Sequence, residues 1–287
     1  MTLTRLQAYE AAARNLADLA VAGTINGITG TTITAAALVF PQTDQLRGRF
    51  LYLMGNPSGP VGQSRIISGY TPTTSPSGSR ITVQQPFSTP WATGGAGMYV
   101  FNRFSKDDYD NAFNQSLRLA QRLHLQDFVA TVALVASQYE YSVPSGLEFV
   151  HHLRLVPSGT NISDYASDDE VNRVFDLEPP WYRIEANPLG PQVIVMDSRK
   201  ISMSVLDNEW VRVMGQTKPT VAATDNATIP VELEDYLIAA TSLHLAASKA
   251  SGKPEDPFRM KYQLYRAEVD TLEDYIRTPV RGVRVGP

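Results

Sequence analysis

The chain has 287 residues, enough for one large domain or two smaller ones, each with its own core. Charged residues make up 19 % and the net charge is −4, so the bulk basic character that draws a protein to nucleic acid or an anionic membrane is missing. Cysteine is absent, which excludes disulfides, thiolate zinc sites and cysteine nucleophiles together.

The N-terminal stretch MTLTRLQAYEAAARNLADLA lacks the ordered basic, apolar and cleavage regions of a signal peptide. No apolar run approaches the roughly 20 residues of a membrane span. These features predict a protein made and kept in a cytoplasm until assembly, without membrane contact; no cofactor is expected either. Leu6, Tyr9, Ala13, Leu16 and Ala20 alternate at three and four, which predicts a first helix with Thr2 or Thr4 as cap. From about Asn26 the pattern becomes short β-branched and aromatic runs, RFLYLMG, SRIISGYTP, SRITVQQPF and GMYVFNRF, punctuated by GNPSGPVG and TPTTSPSGS. A small antiparallel sheet or barrel is expected there.

A second helix follows in FSKDDYDNAFNQSLRLAQRLH, where Ser105 and Asp108 resemble a capping box and Tyr109, Phe113, Leu117, Ala120 and His124 form the stripe. The next β segment reads GLEFVHHLRLV, PPWYRIEA, PQVIVM, SMSVL and EWVRVMG, with an acidic surface loop from Ser158 to Asp176. The third helix, IPVELEDYLIAATSLHLAASK, is marked by Pro230 in its first turn and by Glu232, Glu234 and Asp235 at the positive end of its dipole. Its stripe is Leu233, Leu237, Ala240, His244 and Ala247, and Gly252 and Pro254 end it. In the fourth helix Phe258, Tyr262, Tyr265, Val269, Leu272 and Ile276 make one buried seam, and the short loop before it predicts antiparallel packing on the third.

The order α–β–α–β–α–α argues against a doubly wound fold. The expected fold class is α+β, a small four-helix domain with two inserted antiparallel β modules. By residue number the helical domain takes 1–25, 104–125 and 226–277, the modules 26–103 and 126–225, and an extended tail 278–287.

Residues that carry chemistry are sparse. The four histidines, His124, His151, His152 and His244, have no ligand-spaced neighbours, and His151 and His152 should point to opposite faces of a strand. GNPSGPVGQS lacks the Lys-Ser/Thr pair of a phosphate-binding loop, and SDYASDDEVN does not match a calcium-loop spacing. Trp91, Trp181, Tyr182 and Trp210 serve either as core anchors or as a sugar-stacking surface. No catalytic constellation emerges, so a non-enzyme is expected.

The segment from Glu209 to Ser248 resembles the C-terminal part of tailed-phage head–tail connector proteins. Val211, Arg212, Val213 and Gly215, then Ile229 and Pro230, then the acidic, Ala-rich stretch Glu232 to Ala247 stand in that pattern. Gly62, Arg65, Ile67 and Tyr70, followed by Ile81, Thr82, Val83, Pro86 and Phe87, are similar to a β module of phage virion proteins. The resemblance implies an adaptor in the virion neck, a homo-oligomeric and dodecameric ring between the portal protein and tail or neck proteins, with DNA passing through without sequence-specific binding. It also implies that a C-terminal tail binds the portal.

The residues of that tail, RTPVRGVRVGP, are apolar and basic, with Pro279 ending the fourth helix. Val280, Arg281, Val283, Arg284 and Val285 are expected either to add as a strand to a partner's sheet edge or to form a frayed terminus. Two other readings stay open. One is a carbohydrate-binding or decoration protein of the virion surface that presents Trp91 or Trp181. The other is a hydrolase with carboxylates among Asp164 to Asp176.

Overall fold

The computed structural model describes residues 2–54, 62–73, 78–87, 96–156, 175–185, 192–204, 206, 209–251, 253, 255–279 and, for the backbone, 283–284. The first helix, α1 (Arg5–Asn15), opens with a true capping box in which Thr4 and Gln7 satisfy each other's backbone N–H groups. It then stops short of the stripe expected for it. Ala17 adopts φ 53°, and the Asp18 carboxylate accepts from Arg103 N at 2.7 Å and from the Tyr109 hydroxyl at 2.8 Å. Held there, the chain leaves the helix and continues as strand β1 (Leu19–Thr24), so Ala20 lies in a sheet.

Strands β2 (Gly27–Thr29), β3 (Thr32–Ala35), β4 (Phe50–Leu53), β5 (Gln63–Thr71), β6 (Ser79–Val83) and β7 (Gly97–Phe101) complete a seven-stranded antiparallel sheet of order β1-β7-β4-β5-β6-β3-β2. Its core gathers Ile33, Leu51, Leu53, Ile67, Ile81 and Val100 among others. The β2–β3 hairpin, absent from the sequence reading, turns at Gly30, whose φ of 55° favours glycine.

Helix α2 (Lys106–Leu123) starts at the expected box: Asp108 N donates to Ser105 Oγ at 3.2 Å and Ser105 N donates back to Asp108 Oδ2 at 2.7 Å. Helix α3 (Glu234–Lys249) follows a 3-10 turn at Val231–Leu233 and is buried on nearly every side, against α1 and helix α4 (Pro257–Ile276). That burial is wider than a single stripe and marks α3 as a central helix. On α4 the residues Phe258, Tyr265, Val269 and Ile276 are buried, whereas Leu272 is half-buried and Tyr262 exposed.

Cα packing resolves two compact units, Met1–Ala120 with Thr220–Ile276, and Gln121–Pro219 with Arg277–Pro287. The second holds β8 (Gln126–Ala133), β9 (Glu140–Ser142), β10 (Leu147–Val156), β11 (Phe175–Leu177), β12 (Tyr182–Glu185), β13 (Val193–Met196), β14 (Trp210–Thr217) and β15 (Val283–Arg284). They form a five-stranded sheet, β11-β10-β14-β8 with β15 beside β10, and a three-stranded sheet, β12-β13-β9. Both sheets feed one core: Val150, Leu153 and Val213 from the first, Tyr141, Ile194 and Met196 from the second. The ends of this unit's long segment are tied, since Gln121 Nε2 donates to Pro219 O at 2.9 Å, and Thr278 N donates to Leu123 O at 3.0 Å.

These findings correct the expected fold class. Among the described residues the chain is mostly antiparallel sheet, seven, five and three strands, accompanied by four helices, and is not a small four-helix domain with two inserted β modules. The physical reason lies at Asp18 and Phe101. β1 arises within the stretch assigned to helix and pairs with β7, and the Phe101 ring packs 4.9 Å from Tyr109 of α2. The seven-stranded sheet and the helices therefore share one compact unit. SMSVL also departs from expectation: Ser202, Met203 and Ser204 form no strand.

The matched Gly215 has a specific task. β10 shifts register against β14 between Leu147 and Phe149 and again between Val150 and His152, and its burial runs every third residue through Leu147, Val150, Leu153 and Val156. A Cβ on Gly215 would sit 2.1 Å from the Phe149 carbonyl oxygen. Gly215→Ala must displace backbone at the bulge and should destabilise the second unit by roughly 1–3 kcal/mol. Urea denaturation followed by the intrinsic fluorescence of Trp181 and Trp210, both in this unit, checks it.

Candidate functional site

The densest constellation of titratable groups in the first unit is one that no sequence motif announced. Arg5 opens α1 with its side chain 3 % exposed, and Lys106 opens α2 at 8 %. Arg5 Nη2 lies 3.0 Å from Asp110 Oδ1 and donates to Asn114 Oδ1 at 3.0 Å, while Nη1 donates to Ala222 O at 3.2 Å and Nε to the Tyr9 hydroxyl. Lys106 Nζ bridges Asp110 Oδ2 at 2.7 Å and Asp225 Oδ1 at 3.4 Å. The Tyr9 hydroxyl donates to Asp110 at 2.6 Å, and the Tyr52 hydroxyl of β4 donates to Asp225.

Two cations thus face two carboxylates, walled by aromatic rings. Lys106 Nζ stands 4.9 Å from the Tyr9 ring centroid and 5.2 Å from that of Tyr52, and the Arg5 guanidinium lies 4.9 Å from Phe113. Burial, with the neighbouring Asp110, pushes the Tyr9 hydroxyl far up. Burial and the hydrogen bond to Asp225 do the same for Tyr52. Both phenols stay protonated donors. Burial alone would raise Asp110, but hydrogen bonds from Lys106 and Tyr9 and the charges of Lys106 and Arg5 outweigh it, holding the carboxyl below the ordinary range.

The geometry describes a clasp. Arg5, Tyr9, Lys106 and Asp110 satisfy one another and reach the return segment at Ala222 and Asp225. Beside it the N-terminal strand-like stretch is pinned to that return: Thr4 bridges Thr228, Ile229 N donates to Leu3 O at 2.9 Å, and Leu3 N donates to Glu234 Oε1 at 2.6 Å. A sequence signal did exist. Arg5 sits four before Tyr9, and Lys106 four before Asp110, each pair on one helix face.

The resemblance residues likewise hold structure together. Tyr70 donates from its hydroxyl to Phe40 O at 2.9 Å, and Arg65 covers the Phe87 ring at 5.2 Å while donating to Pro86 O at 3.1 Å. An open cleft of about 220 Å³ beside β5, lined by Phe50, Arg65, Gln84, Ser105 and Asp107 among others, is smaller than the ~300–1,000 Å³ typical of ligand pockets. Among the described residues no group of three or more His, Asp or Glu is placed to hold a metal, and no helix is long and apolar enough to cross a membrane.

Of the residues singled out from sequence, Trp91, Val280, Arg281, Val285 and the acidic Asp164 to Glu170 lie outside the described residues. Val283 and Arg284 form β15, opposite Val150 and Phe149 of β10. Trp181 occupies the turn before β12 and is 42 % exposed, whereas Tyr182 is buried and Trp210 half-buried. On β10 Arg154 Nε lies 2.6 Å from Asp176, and His152 Nε2 stands 3.8 Å from the same carboxylate.

No protein-family model and no curated protein matches the chain. Among solved structures it is similar to a chain described as the neck of an empty GTA particle computed with C6 symmetry. That alignment has 12 % identity, covers 61 % of this chain and 79 % of that chain, and gives a TM-score of 0.23. The neighbour is weak, and at that score it carries no argument about function.

Removing one carboxylate from the clasp should be costly. Asp110→Asn leaves Arg5 and Lys106 undercompensated, and a loss of roughly 3 kcal/mol is expected at neutral pH, the low end for a broken buried pair because Asp110 is partly accessible. The folded-state pKa of Asp110 is depressed, so its stabilisation is present above the unfolded pKa and is lost as pH falls through the lower folded value. The gap between parent and Asp110→Asn in urea midpoint should therefore close only below the ordinary aspartate pKa. A gap that closed already above the ordinary aspartate pKa, or one that persisted unchanged below the depressed folded value, would contradict the assignment.

Proposed function

We propose that the chain is a structural protein of a tailed-phage virion neck, a head–tail adaptor acting by assembly rather than catalysis. In this reading its subunits form a homo-oligomeric, dodecameric ring between the portal and the tail or neck proteins. DNA passes through the ring without sequence-specific contact, which suits a net charge of −4. The ring is built in the host cytoplasm and resides at the head–tail interface.

The support is the connector-like segment from Val211 to Ala247, and one observation about the tail. Val283 and Arg284 add as a strand to β10, in register with Val150 and Phe149. Strand addition is the docking mode that the composition of the tail predicts. A two-residue pairing holds weakly, so the segment exchanges: Val280, Arg281, Val283, Arg284 and Val285 add to a sheet edge of the portal, where Arg281 and Arg284 meet acidic groups. A chain ending at Pro279 keeps the Thr278 contact with Leu123 and the hydrogen bond from Gln216 Nε2 to Pro279 O. Its melting temperature should stay close to the parent's while portal capture in a pull-down is lost. Capture at parental affinity would sink the reading.

The exposure of Trp181 favours one alternative, a carbohydrate-binding or decoration protein of the virion surface. A glycan-induced fluorescence change that disappears in Trp181→Ala would select it.

A further inference from the structure

Helix α4 has two apolar faces, and among the described residues only one is covered. Phe258, Tyr265, Val269 and Ile276 are buried. On the opposite side Met260 is 63 % exposed, Leu264 62 % and Tyr275 82 %, with Ala267 and Thr271 exposed between them. The five stand at helical spacings along a single stripe. Such a face on a soluble helix calls for a partner.

The charges on α4 identify which partner. Arg259, Lys261 and Arg266 lie in its first half, and Glu268, Asp270, Glu273 and Asp274 in its second. Within the helix the first turn has no acid and the last turn no base, an unfavourable order for the dipole that Asp256, ahead of the first turn, offsets in part by accepting from Phe258 N at 2.9 Å. An antiparallel copy of the same helix turns this cost into complementarity, because the basic half of each then faces the acidic half of the other.

The register agrees. Met260 and Tyr275, and Leu264 and Thr271, are placed symmetrically about the Ala267–Glu268 step. Antiparallel pairing about that step sets Met260 against Tyr275 of the second copy and Leu264 against its Thr271. Ala267, the smallest side chain of the stripe, falls at the crossing, where the axes must come closest. On one flank Arg259 meets Asp274 of the second copy, while Arg266 and Asp270, 3.1 Å apart within the chain, meet their counterparts as a four-charge cluster.

We propose that the outward face of α4 pairs two copies of this chain antiparallel about a twofold axis at the Ala267–Glu268 step. The contact is isologous, so it closes at a dimer of the unassembled chain, whereas a ring with different partners on its two faces is cyclic and is built through a separate, heterologous surface. It goes beyond the neck reading and does not depend on it. One helix face per copy falls below about 1,200 Å² of buried surface, in the class of weak, reversible contacts, so dilution should dissolve it.

The cysteine-free chain makes a direct test available. Ala267→Cys introduces the only thiol, and mild oxidation should give a disulfide-linked dimer far faster than does Gln115→Cys, an exposed control on α2. Adding Leu264→Asp should abolish the cross-link and the sedimentation dimer while leaving the melting temperature of the monomer unchanged. Arg259→Asp should weaken the dimer at least several-fold, and adding Asp274→Arg in the same chain should restore it. The proposal is overturned by a wild-type protein that stays monomeric at every concentration. Equal cross-linking of the two cysteine variants, or a cross-link that survives Leu264→Asp, would overturn it as well.

Discussion

The first unit depends on a buried exchange of charge between two helix starts and a returning loop. Arg5 and Lys106 are cations almost without water, and each would be prohibitively costly alone. Asp110 serves both, Asp225 serves Lys106, and the backbone carbonyl of Ala222 takes a third edge of the guanidinium. The partners are separated by 217 positions between Arg5 and Ala222 and by 105 between Arg5 and Asp110. Together with the packing of α3 on α1 and the pairing of Leu3 with Ile229, the clasp ties a discontinuous segment, Thr220–Ile276, into the same unit as the N-terminus. A buried ion pair is weak evidence for net stability, since a well-packed apolar replacement often does as well. In the observed register of α1, α2 and the return segment, both buried cations meet a carboxylate.

Around that clasp each secondary element has a local reason. Asp18 ends α1 by offering its carboxylate to Arg103 N and Tyr109, although burial pushes its pKa upward, and this redirects the chain into β1. α3 carries small and apolar residues around its circumference and so becomes the centre of the helical layer, while α4 covers it with one side and presents the other to solvent. In the second unit two shifts of register in β10 turn its alternation into a three-residue repeat, and Gly215 makes room for the closest approach of the backbones. On the outer surface lie the indole of Trp181 and the second face of α4, and in the second unit β15 lies along β10.

Much of this was legible in the residues. The four helices follow from period and capping, and Ser105 with Asp108 predicted the start of α2 to the residue. The strands β4 to β7, β10 and β12 to β14 follow from β-branched runs between turn signals. What failed was the weighting. Ala20 continued a helical stripe in sequence, but a left-handed Ala17 and a buried Asp18 are tertiary outcomes that no local pattern shows. His151 and His152 stand at a bulge between Val150 and His152, again a tertiary outcome, and both side chains are half-buried. The clasp was missed because its members are distant in sequence, and each alone reads as an ordinary helix-surface charge. Only the pairing of Arg5 with Tyr9 and of Lys106 with Asp110, four apart on aromatic faces, hinted at burial.

The central claim is that the clasp makes the N-terminus, α1, α2 and the return segment open as one. Native-state hydrogen exchange on Arg5→Met tests it most directly, with the amides of Leu6, Tyr109 and Ile229 as reporters, all of them hydrogen-bonded in the parent. The account predicts that protection falls at all three by the same free energy, the signature of one cooperative unit. Loss of protection confined to Leu6 and its neighbours, with Tyr109 and Ile229 exchanging as in the parent, would contradict it.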